Sequence, residues 1–262
     1  MPSSDQAANQ RAGRARRARM IELIRERASL SVAELAAAFE VSGETVRRDL
    51  RRLEERKLVA RSYGVVHAVA SGVVETGLDS RQTSSVEEKQ RIAAEAPRHL
   101  EDARTIFIDE GYMPSLIAQA LPAIGLTVLT TSLPVANAIV RRRAGEVIMV
   151  GGRIRPSTQG VVDRWATDML RTVQPDLAFV GANGVTEDGW LTTPDPLVAA
   201  VKEAACQAAR RRIFVGAHYK FGVSTFVRFA SLADFEAVIT GRELPRAKAA
   251  VFGALGPRVF RV

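Results

Sequence analysis

Apolar residues recur three and four apart from Val32 to Leu53, and the recurrence is interrupted once. Val32, Leu35, Ala36 and Phe39 fall on one helical face, and Val46, Leu50 and Leu53 fall on another. The pattern lapses at Glu40-Val41-Ser42, which predicts a tight turn with Val41 as its buried residue. Each helix has its own start signal. Ser31 is placed to accept from an amide of the first turn while Glu34 reaches back to the Ser31 amide, and Ser42 is placed to cap the second helix. Upstream, Met20, Leu23 and Ile24 predict the buried face of a preceding helix, whereas residues 1–10 show no such pattern and are expected to be disordered. Downstream, KLVARSYGVVHAV reads as a strand, a turn at Tyr63-Gly64 and a second strand. Three helices, the last two closely joined, followed by a strand pair make a winged helix-turn-helix.

Residues 68–80 are rich in small residues and predict a linker between two domains, 1–67 and 81–262. Beyond it the period changes. Short β-rich runs at Thr105–Asp109, Thr127–Thr131, Glu146–Val150, Leu177–Gly181, Arg212–Gly216 and Ala237–Thr240 alternate with helical patterns at Pro114–Leu121, Pro134–Arg143 and Pro196–Arg211. IFID, VIMV, LAFVG and IFVG each hold a continuous apolar run, as strands buried on both faces must. The predicted fold is therefore α/β: an N-terminal winged helix-turn-helix domain and a C-terminal Rossmann-like domain with a mainly parallel sheet.

Charge adds a partner to this picture. The net charge is +8, and residues 1–68 hold 14 Lys and Arg against 9 Asp and Glu. Five arginines lie between Arg11 and Arg19 and form a basic arm, whose members, Arg16 among them, are expected on DNA phosphates. Arg47, Arg48, Arg51 and Arg52 occupy the flanks and outer face of the third helix, with Thr45 and Ser42 at its start. A major groove would meet these residues: arginine forks onto guanine or binds phosphate, and the hydroxyls reach base edges or backbone oxygens. Lys57 and Arg61 in the wing would hold the flanking backbone. The expected partner is a double-stranded DNA operator, bound by a dimer or tetramer because one winged helix holds a half-site weakly.

The remaining composition excludes more than it suggests. One cysteine, Cys206, rules out a disulfide framework and reads as a small buried hydrophobe. His67, His99 and His218 lack metal-ligand spacing, and neither a metal nor a cofactor is expected. No run approaches membrane-spanning length and the first residues lack the apolar core of a leader, so a cytoplasmic protein is expected.

VAELAAAFEVSGETVRRDLRRLEE with its strand–Gly–strand wing resembles the DNA-binding domain of the DeoR family of bacterial transcriptional regulators. DSRQTSSVEEKQRIA, IFIDEG, VLTTSLPVANAI, MVGGRIRPSTQG, AFVGANGV, GWLTTPDPLVAAVK and YKFG then follow in the order of that family's effector domain. The resemblance implies a transcriptional regulator whose second domain is related to ribose-5-phosphate-type isomerases and binds a sugar-derived effector.

In parallel sheets ligands bind beyond the carboxyl ends of the strands, so the loops there are the candidate site. They contribute Asp109, Glu110, Gly111 and Tyr112; Thr131 and Ser132; Gly152 and Arg153; Asn183; and His218 and Lys220. From the Thr-Thr-x-Asp and Val-Lys elements come Asp195, a helix cap, and Lys202, which meets the ligand or Asp195 if turned inward. The first loop departs from the family. Where the family has Asp-Ser-Gly-Thr-Thr, suited to a phosphate, this chain has Asp109-Glu110-Gly111-Tyr112-Met113, with Pro114 withdrawing an amide; Thr131 and Ala217 replace the family's Asn and Asp. The expected effector is a sugar or polyol without a phosphate there, Glu110 accepting its hydroxyls and Tyr112 covering a ring face. The alternative has Glu110 pointing to solvent in a decayed site. The leading function is repression of a carbohydrate uptake or catabolic operon. An isomerase-like enzyme with an appended DNA-binding domain and a DNA-binding protein without effector are the competing readings.

Overall fold

The computed structural model describes residues 4–27, 29–55, 58–62, 65–68 and 85–262. The chain divides into two compact units, residues 1–84 and 85–262. The linker expected over residues 68–80 lies, from residue 69 onward, outside the described residues.

The first unit holds helices α1 (Ser4–Glu26), α2 (Val32–Ala38) and α3 (Gly43–Glu55) and strands β1 (Ser29–Ser31), β2 (Val59–Ser62) and β3 (Val65–Ala68). Met20, Ile24, Leu35, Val46 and Leu50 are fully buried among them. Each such side chain contributes about 2 kcal/mol by leaving water. Ser31 and Glu34 form a reciprocal capping box at the start of α2. β2 and β3 pair antiparallel, and β1 adds a third strand through Leu30 and Val66. Two expectations change. α1 reaches back to Ser4, so most of residues 1–10 are helical, and Val41 is half-buried.

The second unit opens with α4 (Val86–Glu95) and is built on seven strands: β4 (Thr105–Ile108), β5 (Leu126–Thr130), β6 (Gly145–Met149), β9 (Leu177–Val180), β12 (Arg211–Val215), β14 (Ala237–Thr240) and β15 (Arg258–Arg261). Their order is β15-β14-β12-β9-β4-β5-β6, and every adjacent pair is parallel. Alternate side chains serve opposite faces. Ile106 and Ile108 pack with Ile92, Ile117 and Ile139 from α4, α5 (Tyr112–Ala120) and α6 (Leu133–Arg142). Phe107 points the other way, toward Leu170 of α7 (Arg164–Leu170), Ala205 of α8 (Pro196–Ala208) and Phe252 of α9 (Arg246–Gly253). A hairpin, β7 (Arg153–Ile154) with β8 (Val161–Val162), and an antiparallel sheet of β10 (Gly184–Val185), β11 (Trp190–Thr193) and β13 (Val227–Ser231) complete the unit.

The strand order reverses between β4 and β9. Chain after β4 builds toward β6, and chain after β9 builds toward β15, so the carboxyl ends of these two strands form the switch point at which open parallel sheets bind ligands.

Candidate functional site

α3 sorts its side chains by arc. Val46, Asp49, Leu50 and Leu53 are buried, and Arg47, Arg48, Arg51 and Arg52 are exposed. Ser42 accepts the Thr45 amide at 3.2 Å, and the two hydroxyls lie 3.0 Å apart, which fixes the start of the helix. Arg47 also lies 3.6 Å from Glu44. Asp49 was not singled out by sequence. It accepts from Arg16 Nε at 2.7 Å and from Arg17 Nη1 at 2.8 Å, which ties α1 to α3. The arm arginine expected on phosphate therefore serves inside the unit. Lys57 and the Tyr63-Gly64 turn lie outside the described residues, and Arg61 sits in β2 with its side chain outside them.

In the second unit the switch point is centred on Asp109, which follows β4 and is fully buried. Its Oδ1 accepts the Glu110 amide at 2.8 Å, and its Oδ2 accepts the Gly181 amide at 2.9 Å across the strand reversal. Lys202 turns inward from α8 and pairs with the same carboxylate, also donating to the Gly181 carbonyl at 3.2 Å. The next residue, Glu110, is 8% exposed and lies against Gly160, where a Cβ would sit 2.6 Å from Glu110 Oε2. The alternative that sends Glu110 to solvent is overturned. Gly111 follows with φ of 121°, a conformation that other residues adopt only with strain, and it opens α5 at Tyr112.

Other expected residues divide into two sets. Thr131 is fully buried, and among the described residues its hydroxyl has no hydrogen-bond partner. Asn183 takes a hydrogen bond from Thr193 at 3.0 Å. Ser132 instead spends its hydroxyl on the Val135 amide as the cap of α6. Asp195 caps α8 through the Leu197 amide at 2.8 Å while its other oxygen lies 3.3 Å from Arg155. Gly152 is half-buried beside Val161 and Val162, and Arg153 is exposed on β7, so the hairpin turns Arg155 rather than Arg153 toward Asp195.

α4 supplies what sequence reasoning missed. Glu88 and Lys89 are both buried. The Lys89 ammonium lies 5.7 Å from the Tyr112 ring centre and 5.6 Å from that of Tyr219, between two of the loops. Glu88 accepts the His218 amide at 2.7 Å and lies 2.8 Å from His218 Nδ1. Burial works to raise the Glu243 carboxyl, but its own amide, Arg91 and His218 outweigh it and hold the group below its usual range. Glu88, His218 and Glu243 have ligand atoms within 4.8 Å of one another, but hydrogen bonds from His218 and Arg91 already close this group. Lys220 lies half-buried in the same turn as His218. The signal for α4 was present in VEEKQRIA: two charged residues at positions that the helical period assigns to the interior.

A winged helix with an arginine-lined outer face, joined in one chain to a parallel α/β unit with polar loops at its strand reversal, defines a ligand-responsive transcriptional regulator. Residues 16–71 match the model of the DeoR-like helix-turn-helix domain, and residues 84–242 match that of the DeoR C-terminal sensor domain. The chain is 32% identical over 227 residues to the glycerol-3-phosphate regulon repressor of Escherichia coli K12, covering 86% of this chain and 90% of that one. It is 33% identical over 236 residues to the HTH-type transcriptional repressor CsqR of the same organism, covering 90% of each. Ribose 5-phosphate isomerase A of Methanocaldococcus jannaschii is 16% identical over 53% of this chain and 55% of that one, with a TM-score of 0.40. The chain belongs to the DeoR family of transcriptional regulators.

Proposed function

We propose that the protein represses a carbohydrate uptake or catabolic operon and that its effector is a sugar or polyol bearing no phosphate at the loop after β4. The buried Glu110 carboxylate carries this reading. A phosphate set beside it would bring two anions together in a poorly screened site, whereas a hydroxyl donates to the carboxylate. The Thr131 hydroxyl, buried without a hydrogen-bond partner among the described residues, supports the same ligand, since such a group calls for a polar partner. Gly111, Tyr112, Asn183, Lys202, His218 and Lys220 are the remaining groups we assign to the effector, with Asp109 orienting Lys202 and Arg155 at the Asp195 side. The unit is a sensor rather than a catalyst on this reading, because Asp109 is fully engaged by Lys202 and two amides and is not free to act as a base.

Effector control requires that the ligand prefer one of two states of the protein, here a DNA-bound and a released one. Ser42, Thr45, Arg47, Arg48, Arg51, Arg52, Lys57 and Arg61 are the proposed DNA contacts, used by a dimer or tetramer on repeated half-sites. Two measurements test the proposal. Calorimetric titration with paired phosphorylated and unphosphorylated sugars should give heat only with unphosphorylated members, and binding confined to phosphorylated ones refutes it. A mobility-shift assay on the upstream intergenic DNA, run against the same panel, should show release by the sugar that binds.

A further inference from the structure

We propose that Glu44 and Arg47 act as one unit that reads a single G·C base pair, which makes Glu44 a specificity-determining residue of the recognition helix. The inference rests on α3 being the helix that enters the major groove. Glu44 stands on the arc opposite the buried Val46, Leu50 and Leu53, with 75% of its side chain exposed, and Arg47 beside it has 55% exposed. Arg47 Nη1 lies 3.6 Å from Glu44 Oε2 and 3.8 Å from where a Gly43 Cβ would be, so the guanidinium folds back over the first turn and rests beside the carboxylate.

A carboxylate among Arg47, Arg48 and Arg51 is out of place if that face met only phosphates, which would repel it. In the major groove it has a partner. Guanine offers N7 and O6 as acceptors, and its paired cytosine offers the N4 amine as a donor immediately alongside. Arg47 and Glu44 present the complementary order, a forked donor next to an acceptor. An A·T pair sets the thymine O4 and methyl against the carboxylate and is rejected. An exposed pair three residues apart contributes little to the free protein, so it can re-form on a base pair at small cost. Glu44 also lies in the first turn, where a negative charge favours the helix dipole. That role predicts an effect on all DNA alike, and the base-pair role predicts an effect at one position.

The experiment selects duplexes from a randomised library with the full-length chain, Glu44→Ala and Arg47→Ala. The wild-type consensus should hold one half-site position at G·C by about tenfold over A·T, the scale of one good base contact. Both variants should lose preference at that same position, to under threefold, and keep it elsewhere. A Glu44→Ala protein that selects the wild-type consensus, with affinity shifted evenly across sequences, overturns the proposal and leaves groove binding by α3 standing. A wild-type protein that enriches no sequence overturns both.

Discussion

A carboxylate fully buried at the end of a strand needs a cation, and Lys202 supplies it to Asp109. Removing only the cation strands a charge in the interior, so Lys202→Met should lower stability by about 3–5 kcal/mol. Urea unfolding measures it, and adding Asp109→Asn to Lys202→Met should restore most of the loss, because the stranded charge is then gone. One turn further along α8, Cys206 reports on the same interior. Burial, followed by the nearby Asp109 charge, pushes its thiol from 9.0 up to about 12, with Lys202 pulling weakly the other way. The fold thus favours the protonated thiol. Its contribution to stability is whole below pH 9 and is lost as the pH climbs toward 12. The urea midpoint of the wild type should accordingly fall more steeply over that interval than that of Cys206→Ala. Iodoacetamide at pH 8 should label Cys206 only as fast as the second unit opens.

At the scale of elements, two carboxylates fasten distant segments. Asp49 holds α1 against α3 through Arg16 and Arg17, and Asp176, just before β9, accepts from the Thr105 amide at 2.9 Å, from its hydroxyl at 2.7 Å and from the Arg104 amide at 3.0 Å. The backbone and hydroxyl bonds from Thr105 hold the Asp176 carboxyl below its usual range. Its stabilisation is therefore present above the unfolded pKa, near 4, and disappears as the pH falls through the lower folded value. Arg16→Ala should leave the salt dependence of DNA binding unchanged while lowering the melting temperature of the first unit. Arg48→Ala should reduce the slope of log K against log salt by about 0.9 if the arginine meets a phosphate. These fastenings also show what the sequence could reveal. The helices with strong caps and the strands with unbroken apolar runs were legible because their causes lie within ten residues of one another. β1 was not, since one apolar residue in three makes no pattern, nor was β15, an edge strand without a wholly buried side chain. Likewise, the partners of Asp49 sit 32 and 33 residues away and Lys202 sits 93 from Asp109, distances that no local period records. At the strand reversal, the loops could be read from topology and the inward charges of α4 from its helical period, but the partners those charges meet, His218 for Glu88 and the Tyr112 and Tyr219 rings for Lys89, could not.

For the molecule as a whole, each unit carries its own core, and the second should keep its properties when severed. A fragment of residues 85–262 should unfold cooperatively and bind the same sugar as the full chain with unchanged enthalpy, without affinity for DNA. A non-cooperative melt would show that it depends on residues 1–84. The pairing of β4 with β9 has a further consequence, in time rather than space. Ile106 must find Leu177 across 71 residues before the sheet has its centre, whereas α2 and α3 are near neighbours in the chain. Both tryptophans, Trp165 and Trp190, belong to the slower unit. On refolding, circular dichroism should therefore begin to recover before tryptophan fluorescence. During synthesis the same order is reinforced by direction, because residues 1–84 emerge first. A half-made chain would already hold its helix-turn-helix while it still lacked the sensor unit that answers to a metabolite.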